Sequence, residues 1–142
     1  MTSVRDPIHD YIDLTPLEVR LVDTPAYQRL RWIRQLSCAN LVYPGANHTR
    51  HEHCMGTCHV VGRMADSAGL DLHDRQLVSV AGLLHDLGHT PFGHAGEKVL
   101  NQCMGKYGGF DHNIQALRIV TSIENKYYKF YGLNLTIETL DG

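Results

Sequence analysis

The chain has 142 residues, of which 43% are hydrophobic and 20% charged, with a formal net charge of −2. This composition fits one soluble globular domain with its own core and excludes a disordered chain. The near-neutral charge gives no general attraction to nucleic acid or membrane surfaces. Because the sequence shows neither a signal peptide nor an apolar run of about 18 residues, we expect a cytoplasmic protein without membrane contact.

The first part of the chain carries start signals for two short helices. Segment 6–14 alternates weakly and contains a proline, which predicts an extended arm or small hairpin. Thr15 and Glu18 form a capping box before the first helix. Thr24-Pro25 repeats the start signal, so that helix passes at once into a second one with an apolar stripe, made by Tyr27, Leu30 and Ile33. The arginines of this second helix, Arg29, Arg31 and Arg34, are interpreted as a solvated or salt-bridged face.

Helical spacing of apolar residues predicts four more helices after a loop at 37–47. We expect them at Arg50 to Gly69, Arg75 to Leu87 with Asp74 as cap, Phe92 to Met104 and Asp111 to about Tyr128. The helix from Arg75 to Leu87 is apolar on most sides and should therefore be central. The predicted class is all-α.

Polar chemistry concentrates in the stretch His85-Asp86-Leu87-Gly88-His89-Thr90-Pro91-Phe92-Gly93-His94, where an apolar helix runs into three histidines and an aspartate. Burying these groups is costly unless something binds them, and a metal ion is a suitable partner. Neighbouring residues on a helix point about 100° apart, so a third ligand has to come from another helix. The best donor is the cluster His51-Glu52-His53, and an imidazole and carboxylate set suits zinc, iron or manganese.

Other interpretations of these residues remain open at this point. The histidines could be hydrogen-bonded core residues, although three within ten positions, flanked by glycine, are hard to explain in that way. His85 and His89 have the spacing of a zincin peptidase helix, but that motif needs glutamate at the second position and an unbroken helix. A zinc site from Cys54, Cys58 and His59 competes with the view that the cysteines are ordinary buried residues of a reducing compartment.

The pairing of a distant histidine with a His-Asp doublet resembles the HD-domain metal-dependent phosphohydrolases. Within them, the chain is similar to the deoxynucleoside triphosphate triphosphohydrolases of the dGTPase-like group. The similarity covers nearly the whole chain, and the stretch from His85 to His94 is highly specific. It rests on Asp6-Pro7-Ile8-His9, Asp23-Thr24-Pro25, Gln28-Arg29-Leu30-Arg31, Tyr43-Pro44-Gly45-Ala46, Arg50-His51-Glu52-His53, the His85 to His94 stretch, Phe110-Asp111-His112-Asn113-Ile114-Gln115 and Gly132-Leu133-Asn134-Leu135-Thr136.

This resemblance implies an HD-domain helical bundle over residues 1–142 that cleaves a dNTP at the α-phosphorus into a deoxynucleoside and inorganic triphosphate. It also implies one or two divalent ions, drawn from Mn, Fe, Zn, Ni and Mg. The implied site residues are the metal ligands His53, His85 and Asp86, the nucleotide contacts Arg50 and Gln35, and the active-site groups His89, His94, His112 and Glu97. His94 is the group implied to protonate the leaving 5′ oxygen, with Glu97 as an acidic partner for such a histidine.

Each of these roles has a simpler competitor. Arg50 could be a solvated cation at a helix N-terminus, His94 and His112 could be surface histidines, and Glu97 could face solvent. The alternative functions are a non-catalytic fragment that binds metal or nucleotide, and an HD phosphohydrolase that acts on another phosphate ester.

One element of the family pattern has no match in the chain. The fourth HD-motif ligand is an aspartate on a later helix, and Asp111 and Asp141 lie in stretches that match other parts of the family. We therefore expect the chain to be the N-terminal part of a longer enzyme, with three of the four ligands and weaker metal binding. An apolar face left open by missing helices predicts self-association, and the family resemblance also favours a homo-oligomer.

Overall fold

The structure, a computed structural model, describes residues 2–141 and consists mainly of helices with one small sheet. Strands β1 (Thr2–Asp6) and β2 (Asp10–Leu14) pair antiparallel, with Val4 opposite Ile12. The helices are α1 (Pro16–Val22), α2 (Pro25–Gln28), α3 (Arg50–Ser67), α4 (Leu72–Leu84), α5 (Gly93–Cys103), α6 (His112–Arg118) and α7 (Ile137–Asp141). Short 3-10 turns at Arg29–Trp32, Ala39–Leu41 and Gly105–Tyr107 and a π-helical turn at Ile119–Ile123 complete the set. The predicted helical class with an N-terminal hairpin is therefore correct in outline.

The core lies where α3 packs along α4, the most extensive helix pair of the chain. Strand β2, α1 and the Arg29–Trp32 turn cover this pair, because each turns one apolar side inward. The central position predicted for α4 is confirmed by the burial of Ser79, Val80, Leu83 and Leu84 in its second half. The main buried residues are Ile12, Leu14, Leu21, Tyr27, Leu30, Cys54, Cys58, Val80, Leu83 and Leu87.

Capping explains where several helices begin. The hydroxyl of Thr15 accepts from the amide of Glu18, and the Glu18 carboxylate accepts in return from the amide of Thr15, so the predicted capping box is confirmed. The cap predicted for α4 was wrong, because Asp71 takes that position and accepts from the amide of Asp74. The helix therefore starts three residues earlier than expected and ends at Leu84, before the site residues.

The last predicted helix also differs from the one observed. It starts as expected after Asp111, whose carboxylate accepts from the amides of Asn113 and Ile114. It widens into the π-helical turn and stops near Ile123, well short of Tyr128. A long-range contact explains the stop: the Glu124 carboxylate accepts from the amide of Ala26, which lies 98 residues earlier in the chain. Helical propensity alone gave no sign of this contact.

Among residues 2–141, no helix combines the length and the apolar character that a membrane span requires.

The turn after α4 is pressed against the start of α6 at Gly88. A Cβ atom on Gly88 would overlap the carbonyl oxygen of His112 and the amide nitrogen of Ala116, both rigid backbone atoms. Only glycine fits this contact. The contact fixes the position of the His112 segment relative to the turn that carries His89.

We predict that Gly88→Ala destabilises the fold by about 3 kcal/mol or more, because backbone atoms on both sides cannot relax as a side chain can. Gly45→Ala is the matched control, since a Cβ atom there meets no atom within 4 Å. Urea unfolding followed by circular dichroism measures both. Equal stability of the two variants would contradict the close contact at Gly88.

Candidate functional site

Two helices bring three candidate metal-ligand side chains together. His53 comes from the first turns of α3, and His85 and Asp86 follow the last residue of α4. The imidazole Nε2 of His85 lies 3.5 Å from Oδ1 of Asp86, and Nε2 of His53 lies 3.8 Å from Oδ2. The ligand atoms of all three lie within 4.8 Å of one another. Because α4 ends before this doublet, both of its side chains reach one point.

The orientation of the His85 imidazole and the lowered pKa of His53 suit a metal ion. Nδ1 of His85 lies 2.8 Å from the carbonyl oxygen of Gly82, which requires the proton on Nδ1 and leaves the Nε2 lone pair directed at the cluster. Burial lowers the pKa of His53, although Asp86 opposes this shift. A neutral imidazole is the form that binds a metal. Two imidazoles and a carboxylate therefore fit a divalent ion of the Mn, Fe, Ni or Zn type.

Of the predicted donor cluster, only His53 reaches this group. His51 is buried, with its ring 5.0 Å from that of Tyr27, and burial lowers its pKa to about 4. Glu52 caps α3, because its carboxylate accepts from the amide and hydroxyl of Thr49. Position along the helix thus separates three adjacent polar residues into core, cap and site.

Arg50 is buried beside the metal-ligand group. Its side chain is 6% exposed, and its Nη1 donates to Oδ2 of Asp86. Its backbone amide donates to the carbonyl oxygen of Ile33, which ties the start of α3 to the chain ahead of it. The interpretation of Arg50 as a solvated helix-end cation is therefore wrong. A fixed positive charge stands next to the carboxylate of the ligand set.

A second polar cluster forms around Glu97 on α5. One oxygen of its carboxylate accepts from Nδ1 of His112 at 2.7 Å and from the His112 amide at 2.9 Å; the other lies 3.2 Å from Nδ1 of His94. Burial acts to raise the Glu97 pKa, but these hydrogen bonds outweigh it and hold the pKa at about 2. Glu97 is thus a carboxylate that orients both rings and leaves each Nε2 free. The solvent-facing interpretation of Glu97 is wrong.

His89 completes this second cluster. It is 1% exposed, and its ring centroid lies 4.6 Å from that of His112 and 5.3 Å from that of His94. Burial and the nearby Arg50 lower the His89 pKa. Its backbone oxygen accepts from Nη2 of Arg29 at 3.0 Å, which ties that guanidinium to the turn, although Arg29 itself is exposed, as the solvated-face interpretation predicts. The four residues also have the chemistry to hold a metal ion.

Both clusters face one cleft of about 610 Å³. Its lining includes all the sequence-predicted site residues except His85 and Glu97, each of which contacts a residue that does line it. Gln35 lines the same cleft, and its buried Oε1 finds no hydrogen-bond donor in the part of the chain that the structure describes. The structure therefore brings the predicted ligand, contact and acid groups to one place.

The alternative metal sites are not formed. Across residues 2–141, the only groups of at least three ligand residues are the two described above, and neither contains a cysteine. Cys54 is buried, and burial raises the pKa of its thiol to about 12. The ring of His59 packs instead on His9, at 4.9 Å. The zincin interpretation is also wrong, because His85 and His89 face different clusters across the broken helix end.

The HD-domain family model matches residues 50–138. The chain is similar to proteins named deoxyguanosinetriphosphate triphosphohydrolase-like from Pelagibacter ubique, with 46% identity over 87% of this chain and 32% of the relative, and from Parvibaculum lavamentivorans, with 45% identity over 87% and 30%. The relative from Bartonella quintana is 42% identical over 100% of this chain and 33% of its own length. The chain thus spans about a third of the length of these curated relatives.

We predict that His85→Ala lowers the affinity for Mn²⁺ or Zn²⁺ by at least about a hundredfold, since direct ligands matter more than the groups that orient them. His73→Ala is the control, because that histidine is exposed and belongs to neither cluster. Titration calorimetry and metal analysis of the purified protein measure the effect. Unchanged metal content in His85→Ala would contradict the ligand assignment.

Glu97→Gln should change how stability depends on pH. Because the Glu97 pKa falls from 4.5 to about 2 on folding, its stabilising contribution is fully present above about pH 4.5 and lost as the pH falls towards 2. At pH 6 we expect the free energy of unfolding of the wild type to exceed that of Glu97→Gln by about 1–2 kcal/mol. This difference is smaller than the whole pKa shift would give, because water screens the charges of the cluster.

Urea unfolding of both proteins between pH 3 and pH 6 tests this expectation. The stability difference should shrink as the pH falls below 4.5. A difference that stays constant over this range would show that Glu97 carries no lowered pKa.

Proposed function

The chain belongs to the HD-domain family, and we propose that it supplies the larger part of the active site of a metal-dependent triphosphohydrolase, which cleaves a dNTP into a deoxynucleoside and inorganic triphosphate. The observation that carries this proposal is the single cleft with a metal-ligand set on one side and a carboxylate-oriented pair of histidines on the other. The printed names of the relatives support the same reaction class.

His53, His85 and Asp86 are the residues that would hold the divalent ion, whose chemistry there is to lower the pKa of a water molecule and to offset charge on phosphate oxygens. The buried Asp86 carboxylate and the two imidazoles, that of His53 with a lowered pKa, are suited to this task. Three protein ligands leave coordination positions open for water and substrate.

Arg50 contributes a fixed positive charge to phosphate binding. Its Nη1 is used by Asp86, whereas its buried Nε–H finds no acceptor among residues 2–141. A buried donor without a partner is costly, and a phosphate oxygen would satisfy it with a charge-assisted hydrogen bond. The negative charge that develops on the phosphate during displacement would then lie next to the Arg50 guanidinium, which is already held in place and does not have to move during the reaction.

His94 is the group that we assign to protonate the leaving 5′ oxygen. Its Nδ1 hydrogen is directed at Glu97, so Nε2 is the nitrogen that faces the cleft, and an imidazolium there can donate a proton. His112 shares the same carboxylate and His89 packs against both rings, so the cluster restrains His94 although its own side chain is exposed. Glu97 acts on the substrate only through these rings and is a positioning residue.

Gln35 is assigned to the nucleoside end of the substrate. Its unsatisfied Oε1 is an acceptor and therefore needs a donor. A phosphate oxygen at neutral pH supplies none, whereas a hydroxyl of the deoxyribose does. Gln35 thus favours a sugar contact within the cleft.

The homo-oligomeric state and the cytoplasmic location that we expect from the sequence stay predictions.

We predict that the protein, incubated with each dNTP and Mn²⁺, releases inorganic triphosphate, which ion chromatography separates from pyrophosphate and orthophosphate. His94→Gln should lower turnover by about 10²- to 10⁴-fold, the usual contribution of a general acid, while metal content stays unchanged. His73→Gln serves as the control. Release of pyrophosphate or orthophosphate would assign a different phosphohydrolase reaction, and dNTP binding without turnover would support the non-catalytic alternative.

A further inference from the structure

We propose that Phe92 is a platform on which the base of the bound nucleotide stacks. This inference rests on the proposed function, because it concerns the nucleotide that the cleft is proposed to bind. Phe92 stands at the N-terminus of α5, two residues before His94, and lines the same cleft as both polar clusters. No chemistry was assigned to it from the sequence.

The exposure of Phe92 is the first observation. Phe92 is 62% exposed, although the neighbouring Thr90 and Gly93 are buried. Most residues that line the cleft are charged or polar, and Phe92 and Leu36 provide its large apolar side chains. A flat partner in the cleft would cover the exposed face of the Phe92 ring and be stabilised by stacking on it.

The backbone of Phe92 is the second observation. Its φ of 66° and ψ of 22° place it in the left-handed region, which costs a bulky residue free energy. Four non-glycine residues within 2–141 have a positive φ, and Phe92 is the one aromatic among them. Ser37, another of the four, lines the same cleft. Strained residues of this kind cluster at functional sites.

The surrounding turn holds Phe92 in this conformation. Its carbonyl oxygen accepts from the amide of Gly96 at 3.2 Å, and the Thr90 hydroxyl donates to the carbonyl oxygen of Gly93 at 3.4 Å. A Cβ atom on Gly96 would overlap the carbonyl oxygen of Pro91, so the turn closes only with glycine there. The ring is therefore positioned by the turn and not by packing of the ring itself.

The chemistry of a dNTP identifies what the ring would contact. The triphosphate is anionic and is served by Arg50 and the metal-ligand set, and the sugar is polar. The base is the only flat, largely apolar part, and its face stacks on an aromatic ring whichever base it is. We therefore expect Phe92 to strengthen binding of purine and pyrimidine dNTPs alike, and to leave binding of inorganic triphosphate unaffected.

Phe92→Asn separates this role from a structural one, because asparagine tolerates the left-handed conformation and lacks the ring. In a His94→Gln background that prevents turnover, we expect Phe92→Asn to weaken dGTP and dTTP binding about tenfold or more in calorimetry with Mn²⁺. Inorganic triphosphate should bind with unchanged affinity, and the urea midpoint should stay the same or rise. Phe92→Tyr should restore dNTP affinity.

Tyr107→Asn in the same background is the matched control, since that ring is 68% exposed and lies outside the cleft. Unchanged dNTP affinity in Phe92→Asn would overturn the stacking role while leaving the proposed function intact. Equal weakening of dGTP and inorganic triphosphate would assign Phe92 a structural role and also overturn it. If the His94→Gln parent bound no dNTP, the proposed function itself would fail, and this inference with it.

Discussion

The arrangement of the site depends on the buried ion pair between Arg50 and Asp86. These residues come from the start of α3 and from the turn after α4, so the pair joins the two central helices at the end where the cleft opens. Burying either charge alone would cost several kcal/mol, and pairing offsets that cost. With the carboxylate held in this way, His53 and His85 lie on either side of it, and the metal-ligand group follows from one constraint.

In the second cluster, the Glu97 carboxylate is the group on which the positions of the histidines depend. A carboxylate that accepts from two imidazoles fixes the tautomer of both and the direction of their free nitrogens. Its position depends on α6 lying close to the turn after α4, which Gly88 permits. The close contact at Gly88 therefore holds the two clusters in position relative to each other, without the need for a hydrogen bond between them.

The short segment between the clusters combines rigidity with exposure. Thr90 and Gly96 close a tight turn, and Phe92 is left in a left-handed conformation with its ring in the cleft. Glycine or asparagine would adopt this left-handed conformation at a lower free-energy cost than phenylalanine does. The local conflict between residue type and backbone conformation therefore points to a role in binding, in agreement with the stacking proposal.

The sequence by itself determined the helical class, the N-terminal hairpin, the Thr15 capping box and the stretch in which the polar chemistry lies, because spacing and capping are local properties. Helical spacing alone left open which of residues 51 to 53 enters the site, and only the family resemblance implied His53. The sequence also did not determine where α4 and the last helix end. Those outcomes depend on partners distant in the chain, such as Asp86 for His53 and Ala26 for Glu124. Tertiary packing decided them, since burial and long-range hydrogen bonds outweigh the small free-energy differences that set local preference.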